Sequence, residues 1–184
     1  KVSQIKETID LALDLAVDWC QFAVVQALPN TKLWNDFVES NDPRVNEPSK
    51  YSPASETKLE GIAIDELGLE PIDIYELDPE LTLSTHQLKC VWYPINIIVD
   101  FLKNYNYENV NQINKLILFL KAISSSYPKD PVMNYALSYS NKLINESDIS
   151  ANYRRAGNEL KNESVFWESL IKTLEPHDIH KILN

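Results

Sequence analysis

A chain of 184 residues with only three glycines, at positions 61, 68 and 157, has few places to make a tight reversal. Average usage would supply about a dozen. Two-residue hairpin turns need positive φ and draw on Asn-Gly, Asp-Gly or Gly-Gly pairs, none of which occurs here. Antiparallel sheet is therefore disfavoured. Helix is what remains.

The spacing of apolar residues agrees. From Ser3 to Leu28 the chain reads as one long helix, with Asp10, Asp14 and Asp18 on one face and apolar residues over most of the rest, so it is expected to be central and largely buried. Asn30 or Thr31 caps a short second helix carrying Trp34. Pro79, Pro94 and Pro131 each read as the first residue of a helix. Val110, Ile113, Leu116, Ile117 and Leu120 mark another, and shorter helices are expected over 153–160, 165–174 and 177–183. The polar run 41–53 carries three prolines and reads as a loop, the candidate subdomain boundary of an otherwise single helical domain over 1–184. The expected fold is all-α, a bundle or irregular array of about eight helices.

One segment departs from that pattern. EGIAIDELGLEPIDIYELDPELTL, residues 60–83, holds eight carboxylates and no Lys or Arg. Its apolar residues alternate locally, which predicts a small irregular or β-containing insertion near 59–76. Acids at Asp78 and Glu80 fit the first turn of a helix opened by Pro79. Asp65, Glu66, Glu70, Asp73 and Glu76 have no such reason, and read as a solvated face or as a docking surface for a basic partner. Arg154 and Arg155, the one pair of adjacent cations, read as a grip for an anion or as internal partners of those acids.

Several activities are excluded. The glycine positions permit neither phosphate-binding loop nor a GxSxG nucleophile turn. A formal charge of −10 opposes binding to nucleic acid and to anionic membranes. Cys20 and Cys90 lack metal-site spacing and suit a reduced, cytoplasmic protein. His86 and Cys90, four residues apart, read as a packed thiol beside a marginal histidine rather than a reactive pair. Glu175, His177, Asp178 and His180 have metal-ligand chemistry, but two histidines fall short of a ligand set. No catalytic residue, metal or cofactor is therefore expected. The function expected is a protein-interaction or adaptor module with an acidic docking surface and a basic protein partner, Trp34, Tyr51 and Tyr75 being candidate aromatic contacts. The alternatives are an acidic inhibitor imitating a phosphate track and a hydrolase using carboxylates or the Cys–His pair.

Overall fold

A computed structural model describes residues 1–23, 31–39 and 64–184. Among these lie eight α-helices and no strand: α1 (Val2–Asp14), α2 (Lys32–Glu39), α3 (Thr85–Ile97), α4 (Val110–Ser124), α5 (Pro131–Leu143), α6 (Ser147–Lys161), α7 (Val165–Thr173) and α8 (His180–Leu183). The chain is all-α, as its glycine content and periodicity imply. The boundary expected at 41–53 lies outside the described residues, as does Tyr51.

Caps account for most helix starts. The Asp130 carboxylate accepts from the Val132 amide at 2.8 Å, and Pro131 stands at the first helical position. Ser84 and Gln87 close a reciprocal capping box at the start of α3. Ser164 caps α7, and the Thr31 hydroxyl accepts from the Trp34 amide. Helices α5 and α6 lie closest together. A Cβ on Gly157 would sit 2.9 Å from the Tyr135 ring, so only glycine permits that approach without a shift. Ser138 completes the seam by donating to the Ser150 carbonyl at 2.9 Å.

Two apolar clusters form the core, and α3 contributes to both. The larger joins Ile97, Ile98, Phe101 and Leu102 to the inward faces of α4, α5 and α7, with Trp167 and Tyr135 fully buried. The smaller joins Val2, Ile9 and Ala12 of α1 to Val91, Ile95 and Val99, with Ile74 wedged between. Each such side chain contributes about 1.5–3 kcal/mol through burial.

Three local expectations are corrected. Helix α1 ends at Asp14, and Ala16 takes a left-handed φ of 47°. Beyond it the chain runs extended along α3. Phe22 exchanges hydrogen bonds with Asn96, the Cys20 amide donates to Asp100, and Asn104 donates to the Asp18 carbonyl. Asn96 in α3, Asp100 in the turn that follows it and Asn104 just beyond thus meet alternate backbone groups of this strap. These side chains replace the intrahelical bonds a longer α1 would have made.

Pro79 opens no helix. Asp78 accepts from the Glu80 amide at 2.8 Å, an Asx turn, and α3 begins only at Thr85. Pro94 lies inside α3 rather than at its start. Having no N–H, it leaves the Cys90 carbonyl without its intrahelical donor. The Ile72 amide supplies the bond instead, at 3.2 Å. After Ile97 the helix widens into a π turn, Ile98–Leu102, which is buried throughout.

The insertion expected near 59–76 as irregular or β-containing is irregular over the residues described, with no strand among them. Its described part, from Ile64 onward, forms 3-10 turns at Ile64–Leu67 and Ile74–Glu76 joined by extended chain. This acidic belt is held by backbone contacts on both sides. Lys6 donates to the Tyr75 and Leu77 carbonyls, and the first amides of α1 donate to the Leu81 and Pro79 carbonyls at 2.9 Å.

Candidate functional site

The belt does not present its acids as one surface. Asp73 is 3% exposed, so it is not available as a docking acid. Its Oδ1 accepts from the Tyr75 amide at 2.9 Å and its Oδ2 lies 2.7 Å from His177 Nε2. Asp65 is half-buried, with Oδ1 enclosed and unpartnered among the described residues. Glu66 pairs with Lys129 at 3.1 Å, and Glu80 pairs with Lys1. Only Glu70 and Glu76 of the five candidate acids are exposed without an ion pair among the described residues.

Arg154 and Arg155 do not answer the belt. Arg154 donates to the Leu183 carbonyl, and Arg155 donates to Asn152 at 3.1 Å. Arg154 thus ties α6 to the end of α8. Trp34 and Tyr75 are half-buried, and Tyr75 packs 5.1 Å from the His177 ring.

His177, held by Asp73 from behind, lines a cleft of about 410 Å³. One wall is the end of the π turn with Lys103 and Asn104. The other is the stretch from Pro176 to Lys181, and Glu108 lies at the margin. An ionised Asp73 only accepts, so His177 Nε2 carries the proton between them, and Nδ1 is an acceptor in the neutral ring and a donor in the protonated one. Nδ1 has no hydrogen-bond partner among the described residues. Asp178 follows in the left-handed region, φ 60°, and turns the chain from the 3-10 turn at Glu175–His177 into α8. Lys103 lies 5.8 Å over the Tyr75 ring, and Lys181 lies 5.1 Å over Tyr107 and 5.6 Å over Tyr139. No lining residue is Ser, Thr or Cys, and the groups the cleft offers are a histidine oriented by Asp73, two lysines and two carboxylates.

Asp73 and His177 stand 104 residues apart, and sequence offered no means of pairing them. The local sign was Asp73 two residues before Tyr75, the spacing of an Asx turn. His180 is exposed, apart from that contact. Among the described residues no group of three or more His, Cys, Asp or Glu could hold a metal. His86 Nε2 lies 3.6 Å from Cys90 Sγ, but Cys90 is buried and His86 exposed, so the thiol faces the core.

Two further carboxyls are buried. Burial pushes Asp100 up to about 7, partly offset by the hydrogen bond from the Cys20 amide, and its Oδ2 has no partner among the described residues. Burial likewise pushes Asp130 up to about 6, against the hydrogen bond donated by Tyr93. Asp65 adds its charge to the same place. On the surface, Asp18 is held below its ordinary value, chiefly by hydrogen bonds from Lys115 and Tyr105.

No family model, curated protein or solved structure matches this chain. Among the described residues no helix is long and apolar enough to cross a membrane.

Proposed function

We propose that the protein is an interaction module for a protein partner of basic surface. The observation that supports this reading is apolar surface left open beside the strap. Leu118 on α4 is 70% exposed, Phe119 next to it is partly open, and Leu15 and Val17 lead exposed into Trp19. The Trp19 ring lies 4.8 Å from that of Phe119, which joins the two elements. Exposed apolar groups in a row favour a protein contact, while the overall charge of −10 favours a basic partner and speeds its approach. Glu70 and Glu76, exposed on the belt, contribute to that charge. The phosphate-track reading has less support, because Asp73 points inward and Glu66 and Glu80 are already paired.

The test is comparative capture from source lysate with the wild-type protein, Leu118→Asp and Val17→Asp, each checked for an unchanged melting temperature. A stoichiometric protein held by wild type, released by salt and lost from both variants supports the proposal. Capture profiles that do not distinguish wild type from folded variants refute it.

A further inference from the structure

We propose that the cleft between the π turn and the C-terminal turn binds a small hydroxylated phosphate monoester. This inference rests on residues other than those of the apolar face and stands or falls separately.

The cleft has the size of a small-molecule site, about 410 Å³ where such sites span roughly 300–1,000 Å³. Its histidine is preset. Asp73, itself buried, accepts from His177 Nε2 at 2.7 Å, and the Tyr75 ring packs against the imidazole. That leaves Nδ1 unpartnered among the described residues at the cleft wall. Lys103 and Lys181 line the same cleft from opposite walls, and neither has a carboxylate partner among the described residues. Both side chains lie over tyrosine rings, which restrict where the ammonium groups can go. Lys103 and Lys181 thus give this cleft two cations without carboxylate partners among the described residues, set against two acids, Glu108 and Asp178, in the same lining.

The donor and acceptor pattern selects the anion. With Nε2–H committed to Asp73, a neutral ring accepts at Nδ1, whereas Lys103 and Lys181 only donate. A phosphate monoester monoanion matches both, giving its P–OH to Nδ1 and its other oxygens to the ammonium groups. A carboxylate at neutral pH has no proton to give. Glu108 and Asp178, the remaining charged groups of the lining, oppose a bare dianion but accept from hydroxyl groups. They favour a ligand whose phosphate end meets His177 and the lysines while its hydroxylated end reaches the acids.

The experiment is a titration of the intact protein followed by NMR of its three histidine rings. His177 is assigned by elimination with His86→Gln and His180→Gln, both exposed positions. The probes are glycerol phosphate, inorganic phosphate, acetate and glycerol. We expect the His177 ring signals to move saturably with glycerol phosphate, less tightly with inorganic phosphate, and not with acetate or glycerol. Lys103→Met and Lys181→Met keep the stems over the tyrosine rings and are expected to weaken glycerol phosphate about tenfold each. Acetate binding as tightly as phosphate would overturn the assignment of the ligand class. A His177 signal that does not respond to glycerol phosphate, or that responds equally in the double lysine variant, would overturn the site.

Discussion

Asp100 makes the stability of this protein run against the usual acid trend, and the size of the effect follows from its surroundings. The side chain is 1% exposed, takes one hydrogen bond from the Cys20 amide at 2.8 Å, and leaves Oδ2 unpartnered among the described residues. Burial raises its pKa from the ordinary 3.8 to about 7. Below 3.8 the carboxyl is neutral in folded and unfolded chains alike, and its contribution to stability is fully present. Between 3.8 and 7 the unfolded chain has released a proton that the folded chain still holds. Stability is therefore lost as pH rises through that window, at up to about 1.4 kcal/mol per pH unit. From pH 5 to pH 7 the expected loss is about 2–3 kcal/mol, or roughly 5–10 °C in melting temperature for a chain of this size. Asp130, raised to about 6, adds a loss of the same sign. The lowered pKa of Asp18 contributes stability that is lost only as pH falls below 3.8, so it does not enter this window. Urea unfolding followed by tryptophan fluorescence at pH 5, 6, 7 and 8 measures the slope. In Asp100→Asn the amide oxygen still accepts from Cys20, but the ionisation is gone. Subtracting its profile from that of wild type cancels the histidines and Asp130. A difference that stays flat from pH 5 to 7, or that has the opposite sign, refutes the account of Asp100.

Other perturbations have definite outcomes. Asp73→Ala leaves the buried His177 ring and the Tyr75 amide without their acceptor and is expected to cost about 1–3 kcal/mol in urea unfolding. Glu70→Gln with Glu76→Gln, on the same belt but exposed, is expected to change stability by less than about 0.5 kcal/mol in that assay. Gly157→Ala pushes a methyl against Tyr135 and is expected to lower stability by about 1–3 kcal/mol, read as a fall in melting temperature. Ser84→Ala removes the cap of α3 and is expected to cost about 1 kcal/mol, with a matching shift of the urea midpoint.

Much of the helical frame was legible because its signals are local. Asp130-Pro131 marks the start of α5 through the cap and the fixed φ of proline, and the spacing from Ile113 to Leu120 marks the buried face of α4. The errors arose where tertiary partners outbid local preference. Residues 16–23 look helical, yet Asn96, Asp100 and Asn104 offer their backbone a better set of partners. Pro94 carries the mark of a helix start but lies within α3 because another segment uses the carbonyl it frees. The acids of the belt looked equivalent in sequence. Their separation into the buried Asp73, the paired Glu66 and the open Glu70 depends on His177 and Lys129, far along the chain. Charge density revealed the belt, and only the fold could sort its members.

The bond from the Ile72 amide to the Cys90 carbonyl makes Pro94 valuable for the donor it lacks. An alanine there would raise helix propensity and supply an N–H to compete for the same carbonyl. Helix α3 would gain a turn of regular bonding while the belt lost an anchor, so helicity and cooperativity would part company. In hydrogen exchange the wild-type belt and the middle of α3 should open as one unit, with Ile72 among the slow amides. A helix with a gap in its own ladder is thereby made inseparable from a segment that has no regular structure.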